Sequence, residues 1–318
     1  MLRLALRVAR SDFAVAADLS VGTGEVLCLL GHTGAGKTTL LNAVAGAEPS
    51  EGRLEVGGRA LQALQAHRRA IAVVPQRPRP LPTGSVRDQI AFATPEGRLD
   101  AETEALVDAF DLRSLIGRPG RHLSGGEAQR LAIVQALCSR PAAIALDEPL
   151  SAQDPGRRRS LGPRLRAWAQ RSGLPVLWAT HDVAEAQRVA DRVAVLDRGR
   201  VVLEAAVEAM LERPPTWHVA RLLGYDGWAP LAAGEAALLH PDRLRLGTPA
   251  ADEMAFPGRV AEVRPHGGGH LVTVALTPAG EAVVALYGPG APPAPGHAVT
   301  VCAGEPPRLA LAPESRPW

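Results

Sequence analysis

The sequence contains few cysteines, a single lysine and no long unbroken apolar segment. Its three cysteines, Cys28, Cys138 and Cys302, stand far apart and form no Cys-x-x-Cys pair. This spacing predicts neither a disulfide framework nor a zinc site, so we expect free thiols in a reducing cytoplasm.

Strong charge of either sign is also absent. Lysine and arginine together number 35, and aspartate and glutamate number 33, which leaves a formal net charge of +2. Such an even balance does not suit a polyanionic partner, and we expect no binding of nucleic acid. The run Arg157–Arg159 is typical of a solvated helix face.

No segment is predicted to cross a membrane or to act as an export signal. The N-terminus has arginine at nearly every third or fourth position where a signal peptide would be apolar. The longest uncharged run, 282–304, contains four prolines that would break any helix. Work at a membrane would therefore need a partner protein.

The chain is long enough for two domains, and its patterning changes near Gly224. Its 318 residues exceed the usual size of a single hydrophobic core. Before Gly224, short apolar runs alternate with helical patterns, which favours an α/β fold with a parallel sheet. The predicted strands are Gly24–Leu30, Ile71–Val74, Ala142–Leu146, Pro175–Ala179 and Arg192–Leu196, and the predicted helices are Lys37–Ala45, Ala101–Phe110, Glu127–Ser139 and Arg157–Arg171.

After Gly224, glycine and proline separate short alternating runs. This texture predicts a small β-barrel or sandwich, and the boundaries we expect are 1–224, a linker at 225–235, and 236–318. The predicted strands are Ala237–His240, Gly258–Val263, Leu271–Leu276, Ala282–Tyr287 and Val299–Cys302.

The only lysine lies in the glycine-rich segment GHTGAGKTT. This segment fits G-x-x-x-x-G-K-[ST] and stands between an apolar run and a helical pattern, which is the setting of a phosphate-binding P-loop. Lys37 would bridge the β- and γ-phosphates, as a compact ammonium that the planar guanidinium of arginine cannot replace, and Thr38 would hold Mg²⁺. The alternative is a chance match in a glycine-rich chain. The predicted nucleotide contacts in this segment are Gly31, His32, Thr33, Gly34, Ala35, Gly36, Lys37, Thr38 and Thr39.

Two carboxylates follow the apolar run in PAAIALDEP. At the carboxyl end of a parallel strand, Asp147 would face the ligand crevice and hold Mg²⁺ through water. Glu148 would orient or deprotonate the water that attacks the γ-phosphate. Taken alone, this segment could equally be an ordinary junction between a strand and a turn.

The segment LSGGEAQ predicts a second phosphate-binding helix start. Ser124, Gly125 and Gly126 precede a helix that begins near Glu127. Two such starts in one chain make sense if each completes the pocket of a neighbouring copy. Ser124 and Glu127 also match a capping box, and both interpretations can hold together.

Together these motifs resemble the ATP-binding subunits of ABC transporters. The resemblance covers about residues 1–224 and rests on the ordered segments GHTGAGKT, VVPQ, LSGGE, IALDEP, SAQD and WATHD. It implies a P-loop NTPase core of the RecA-like type with a helical subdomain at about residues 77–139. It also implies ATP and Mg²⁺ as cofactors and a homodimer that holds ATP between two copies.

The resemblance assigns expected roles to further residues. Gln76 would contact Mg²⁺ and the attacking water, and the segment after it would touch a membrane subunit. His181 would lie at the γ-phosphate, although such a lone histidine could simply cap a strand. Asp154, like the segment Ser124–Glu127, would lie across the dimer interface at the partner's ATP. Phe13 would stack on adenine, although an isolated aromatic residue more often belongs to a core.

Three residues depart from the family pattern. Gln153 stands where leucine is usual, Gln135 stands where arginine is common, and Ala145 thins the strand before Asp147. None of these changes removes a catalytic group, so we expect activity with altered coupling between the two copies.

The C-terminal part resembles the OB-like TOBE domain of many bacterial importers. It implies a peripheral subunit on the cytoplasmic face of the membrane, which drives a membrane-spanning permease and is served indirectly by a solute-binding protein. The chain length and the ATPase sequence resemble those of molybdate importers most. Sulfate, tungstate, iron, thiamine, polyamine and sugar remain open as the transported solute.

Two other classes of function stay open at this point. One is a soluble ABC ATPase without a transport role, and the other is a regulator with a vestigial ATPase. His266 and His270 flank three glycines and could be taken for metal ligands, but a hairpin turn is the expected structure there.

Overall fold

The computed structural model describes residues 1–10, 13–207, 209–210, 214, 216–231, 235–266, 269–277, 279–287, 291–304, 306 and 308–310. Contacts between residues divide the chain into two compact units, Met1–Val207 and Glu208–Trp318. We call them the N-terminal unit and the C-terminal unit.

A ten-stranded mixed sheet forms the centre of the N-terminal unit. Its order is β5-β4-β1-β2-β10-β9-β3-β8-β7-β6. Strands β9, β3, β8, β7 and β6 form a parallel region, whereas β1 pairs antiparallel with β2 and β4. The strands are β1 (Leu2–Ala9), β2 (Ala14–Val21), β3 (Val26–Leu30), β4 (Glu51–Val56), β5 (Arg59–Ala60), β6 (Ile71–Val74), β7 (Ala143–Asp147), β8 (Val176–Thr180), β9 (Arg192–Asp197) and β10 (Arg200–Ala206).

The parallel strands are the buried apolar runs that the sequence predicts. Every position of β3, β7 and β8 is buried. A strand that is covered on both faces must be apolar throughout, which is why these strands appear as unbroken runs in the sequence. The predicted α/β class is confirmed, and the carboxyl ends of β3 and β7 lead directly into the two motifs that carry Lys37 and Asp147.

The antiparallel strands β1, β2 and β4 are absent from the sequence prediction. Leu2, Leu4, Leu6 and Val8 are buried while the residues between them are exposed. This period of two residues is the pattern of a strand with one covered face. The alternation is visible in the sequence itself, where Arg3 and Arg7 stand at exposed positions between buried apolar residues.

Six α-helices surround the sheet of the N-terminal unit in the described residues. Helix α1 has the predicted bounds, whereas α4 and α5 begin earlier than predicted because Ser124 and Asp154 are their N-caps. On α5, Arg157 and Arg159 are exposed as expected, but Arg158 is partly covered and lies 3.6 Å from Asp182. The helices are α1 (Lys37–Ala45), α2 (Val86–Ala93), α3 (Ala101–Ala109), α4 (Gly125–Cys138), α5 (Pro155–Ser172) and α6 (Val183–Val189), with short 3₁₀ turns at Ala66–Arg68, Arg113–Leu115 and Gly120–His122.

The C-terminal unit contains one short helix, α7 (Trp217–Leu222), and an eight-stranded antiparallel sheet among its described residues. The sheet order is β13-β17-β14-β15-β16-β11-β12-β18. The predicted small all-β domain is confirmed. Its strands are β11 (Gly227–Pro230), β12 (Glu235–Leu239), β13 (Leu244–Leu246), β14 (Met254–His266), β15 (Gly269–Leu276), β16 (Glu281–Tyr287), β17 (Ala298–Ala303) and β18 (Arg308–Ala310).

The histidines beside the glycine run lie on a β-hairpin. Strands β14 and β15 pair antiparallel up to His266 and Gly269, and His270 is the second residue of β15. This pairing agrees with the expected hairpin. Residues 267 and 268 lie outside the described part of the chain.

The two units divide earlier in the chain than the boundary expected near Gly224. Helix α7 belongs to the C-terminal unit because the residues that follow it are tied to that unit. The backbone N–H of Tyr225 donates to the carbonyl of Ala220, and the Tyr225 ring meets the His240 ring edge-on at 5.3 Å. Residues 208–224 thus begin the second compact unit, whereas the sequence analysis placed them at the end of the first.

Cys28, Cys138 and Cys302 are buried free thiols, as their spacing predicts. Burial raises the pKa of Cys28 well above its ordinary value and that of Cys138 to about 11. Over the described ranges, no helix has both the length and the apolar character that crossing a membrane requires.

Candidate functional site: a P-loop with converging polar side chains

The segment between β3 and α1 forms a tight loop whose glycines are required by its backbone and its neighbours. Gly36, the N-cap of α1, has φ 107°, and a Cβ there would lie 2.7 Å from a methyl group of Val15. A Cβ on Gly31 would lie 2.4 Å from the carbonyl oxygen of Leu196. Gly34 also has positive φ, 86°, which L-residues with side chains rarely adopt. The sequence pattern therefore marks a backbone shape that only glycine permits.

Lys37 is buried in this loop and folded back onto its carbonyl groups. Its Nζ donates to the carbonyls of Gly31 at 2.5 Å and His32 at 3.1 Å. Burial lowers the pKa of Lys37, while the carboxylates of Glu148 and Asp147 oppose that shift. His32, Thr33, Gly34 and Thr38 are exposed, Gly31 and Ala35 are buried, and Gly36 and Thr39 are half-buried.

Thr38 and Asp147 form the second contact of the site. The Thr38 hydroxyl donates to Asp147 Oδ2 at 2.7 Å, which joins the first turn of α1 to the carboxyl end of β7. Burial raises the pKa of Asp147, and the hydrogen bond from Thr38 partly offsets that shift. Hydroxyl and carboxylate oxygens are the hard donors that Mg²⁺ prefers, and a buried carboxylate gains most from a nearby cation. The residues present therefore fit a magnesium site.

Glu148, the residue after Asp147, contacts two further polar side chains. Glu148 Oε2 accepts a hydrogen bond from Gln76 Nε2 at 2.7 Å, and Glu148 Oε1 lies 2.8 Å from His181 Nδ1. These side chains come from the ends of β6, β7 and β8, which meet at one edge of the parallel sheet. Glu148 holds a left-handed backbone, φ 46°, which is uncommon for a residue with a side chain. The structure thus brings Gln76, Glu148 and His181 together.

Phe13 contacts the P-loop from the side of β2. A Cβ on Gly36 would lie 3.1 Å from Phe13 Cε1, and one on Gly199 would lie 3.2 Å from Phe13 Cζ. The ring is half-buried against the core of the N-terminal unit. It has core contacts and a partly open position beside the loop, so both roles considered for it from sequence remain compatible with its place.

The start of α4 is a complete capping box. The Ser124 side chain accepts from the Glu127 N–H, and Glu127 Oε2 accepts from the Ser124 N–H at 2.7 Å. Ser124 and Gly125 are exposed, while Gly126 and Glu127 are partly covered. Asp154 caps α5 in a similar way, with its Oδ1 accepting from the Arg157 N–H at 2.9 Å.

The structure gives both atypical glutamines a contact. Gln153 is buried, donates from Nε2 to the Gly126 carbonyl at 2.8 Å, and accepts from Arg130 at 3.1 Å. Gln135 donates to the Gln89 carbonyl at 2.9 Å and so joins α4 to α2.

Sequence reasoning missed the buried polar residues that hold α4 in place. Gln129 donates to the carbonyl of Pro75 at 3.3 Å, next to Gln76, and Arg130 is 2% exposed. Both residues follow LSGGEA in the sequence. The available signal was a charged residue at a position where the helical pattern requires burial.

Comparison with known proteins gives two family matches in the order that the fold shows. The model described as ABC transporter matches residues 16–151, and the model described as TOBE domain matches residues 237–306. The solved structure described as the ATP-binding subunit of an ABC transporter is similar at TM-score 0.58 and 26% identity, over 66% of this chain and 91% of that chain.

Several curated proteins are similar in sequence. The Fe(3+) ions import ATP-binding protein FbpC of Streptomyces avermitilis is 39% identical over 70% of this chain and 66% of its own length. The spermidine/putrescine import ATP-binding protein PotA of Frankia alni is 39% identical over 65% of this chain and 46% of its own. The molybdenum import ATP-binding protein ModC of Mesorhizobium japonicum is 36% identical over 64% and 57%.

This chain therefore spans at most two thirds of the length of these named import proteins. Some relatives are matched almost throughout: a Brucella abortus protein named Putative ATP-binding protein is 33% identical over 90% of this chain and 89% of its own length, and the protein of a second strain matches equally. Together with the two family matches and the P-loop geometry, this alignment shows that the chain belongs to the ABC transporter family of ATP-binding subunits and carries a C-terminal TOBE domain.

Proposed function

We propose that this chain hydrolyses ATP as a homodimer that holds two nucleotides between its copies. The convergence of Lys37, Asp147 and Glu148 at one edge of the sheet carries the proposal. It supplies a cation for phosphates, an oxygen ligand for Mg²⁺ and a carboxylate for water. The exposed Ser124 tip is a helix N-terminus at the protein surface, which suits the phosphates of a nucleotide held by the other copy.

Each side chain of the site has a distinct task in this proposal. Lys37 turns from the loop carbonyls toward the β- and γ-phosphates, while Thr38, Asp147 and Gln76 supply the oxygen atoms for Mg²⁺. When bound, Mg²⁺ neutralises charge on the phosphate oxygens. Glu148 orients the attacking water and accepts its proton, and His181, which already contacts Glu148, lies where it can hold the γ-phosphate.

Closure of the dimer depends on the γ-phosphate. ATP contacts the P-loop of one copy and the Ser124–Glu127 segment and Asp154 of the other, so the nucleotide itself favours the closed state. Hydrolysis removes the contacts of the γ-phosphate, and the two copies separate. Phe13 borders the purine side of the pocket in this arrangement.

The proposed output is import through a membrane-spanning permease, which places the chain at the cytoplasmic face of the membrane. The relatives named as import subunits and the TOBE match support this direction. After Gln76, Phe92 on α2 is 79% exposed and Leu81 in the preceding loop is 43% exposed, and we assign these two apolar side chains to contact with the permease. A solute-binding protein would deliver cargo on the opposite side of the membrane.

The cargo is proposed only as a solute of an ABC importer. The relatives include proteins named for Fe³⁺, spermidine/putrescine and molybdenum, and the first two are slightly more similar to this chain than the third. The molybdate preference expected from sequence is therefore one option among several.

The decisive experiment uses Glu148→Gln. This variant should bind ATP and form an ATP-dependent dimer in size-exclusion chromatography with light scattering, while hydrolysis falls by about 10²–10⁴-fold. Wild-type protein with ADP is the control for nucleotide-independent association. Normal turnover in the variant would remove Glu148 from its role, and a monomer with bound ATP would contradict the sandwich.

A further inference from the structure

A buried amide connects the loop after Glu148 to the start of α4. Gln153 is 5% exposed, and its side-chain amide donates one hydrogen bond and accepts another. Its Nε2 donates to the Gly126 carbonyl at 2.8 Å, and its Oε1 accepts from Arg130 NH1 at 3.1 Å. Leucine, which is usual at this place in the family, could satisfy neither group.

The fit between loop and helix is close enough to transmit displacement. A Cβ on Gly126 would lie 2.8 Å from the Ala152 carbonyl and 3.3 Å from Gln153 Nε2. Arg130 is 2% exposed, its Nε has no partner in the described structure, and burial lowers its pKa. Loss of the Gln153 oxygen would therefore remove a hydrogen-bond acceptor from the buried guanidinium of Arg130, which would destabilise the fold.

The loop itself is tied back to Glu148. The Glu148 carbonyl accepts from the backbone N–H of Ser151 at 3.1 Å and from its hydroxyl at 2.9 Å, and the Gln153 N–H donates to the Leu150 carbonyl at 3.1 Å. Two overlapping backbone turns, 148–151 and 150–153, thus connect Glu148 to Gln153, and the Gln153 amide contacts the first turn of α4, next to Ser124.

We propose that Gln153 is a positioning residue for ATP hydrolysis. It fixes the loop 148–153 against the start of α4, so that the water-activating carboxylate of one nucleotide site and the Ser124 tip that serves the other site move as one body. This inference rests on the nucleotide-sandwich function proposed above. The contact explains how a chain with glutamine at this position keeps Glu148 and the Ser124 tip in a fixed relative position.

The test compares Gln153→Leu with Gln153→Leu/Arg130→Met in the full chain. The double variant removes the buried charge together with its partner, so it should regain most of the thermal stability that the single variant loses. The positioning role predicts that kcat stays about tenfold lower in both variants, because neither restores the bond to the Gly126 carbonyl. Binding of a fluorescent ATP analogue to the monomer should change less than twofold.

Gln135→Leu is the matched control, since it removes one amide-to-carbonyl bond of α4 on the side of α2. It should keep wild-type kcat. The inference is overturned if kcat recovers along with stability in the double variant, or if folded Gln153→Leu turns over ATP at the wild-type rate. Absence of hydrolysis in the wild type would instead contradict the proposed function itself, so the two failures are distinguishable.

Discussion

Arg69 is predicted to be a principal stabiliser of the helix that carries the P-loop. It is 6% exposed, and its guanidinium donates to the carbonyls of Ala43 at 2.7 Å and Val44 at 3.1 Å, in the last turn of α1. It also donates to the Leu64 carbonyl at 3.0 Å. Carbonyls at a helix C-terminus lack partners within the helix, and a cation there is favoured by the helix dipole.

The cost of Arg69→Ala follows from these three bonds. At about 1 kcal/mol net for each hydrogen bond, the loss is about 3 kcal/mol, because carbonyl groups near the protein interior are left unpaired. Such a loss corresponds to a shift of the urea midpoint on the order of 1 M for the transition of the N-terminal unit. Arg68→Ala, at an exposed neighbouring position, should shift the midpoint by less than about 0.3 M.

The assay is urea unfolding of the full chain, followed by circular dichroism, with both variants measured at the same pH and ionic strength. Equal denaturant slopes would show that the variants differ in stability and not in the compactness of either state. If Arg69→Ala unfolds within about 0.3 M urea of Arg68→Ala, the buried guanidinium does not stabilise α1 and the reasoning fails.

Three further predictions concern the site. Gly36→Ala should lower ATP affinity and destabilise the N-terminal unit by about 1–3 kcal/mol in urea unfolding, because its φ is 107° and its Cβ would meet Val15; a wild-type midpoint would contradict this. Lys37→Arg should fold normally but lose more than about tenfold in ATP affinity by isothermal titration calorimetry, since the guanidinium does not fit the tight loop; near-normal affinity would refute the lysine requirement. Asp147 has a raised pKa, so its charge destabilises the nucleotide-free fold above the ordinary aspartate range. As pH rises from about 4 to 7, the stability of Asp147→Asn should therefore increase relative to that of wild type. A difference in unfolding free energy that shrinks over this pH range would contradict the raised pKa of Asp147.

The sequence was most informative where local chemistry determines the backbone. The bounds of α1 were predictable because a glycine with positive φ precedes it and Gly46, also left-handed, ends it. The buried strands β3, β7 and β8 were predictable because both of their faces are covered. The P-loop, the two carboxylates and their order along the chain followed from the same local patterns.

Side-chain contacts between distant segments could not be predicted in this way. Arg69 has the same residue type as many solvated arginines of this chain, and only the fold shows that it is buried. The same limit applies to the boundary near Gly224, since the contact between the rings of Tyr225 and His240 joins residues 15 positions apart in the sequence. Contacts between residues that are far apart in the sequence cannot be predicted from the pattern of a short segment.

The hydrogen bonds of the site also show what the proposed roles of Lys37 and Glu148 require when a nucleotide binds. Lys37 is held by loop carbonyls and Glu148 is held between Gln76 and His181, so each charged group already has partners before ATP arrives. In the proposed mechanism ATP takes Lys37 from the loop carbonyls. Glu148 can still accept a hydrogen bond from water while Gln76 and His181 contact it, because a carboxylate has about four lone-pair sites. A group that exchanges one set of hydrogen bonds for another costs little to rearrange. The proposed role of Glu148 therefore does not require its contacts with Gln76 and His181 to break before a water approaches, whereas the proposed role of Lys37 does require its contacts with the loop carbonyls to be exchanged.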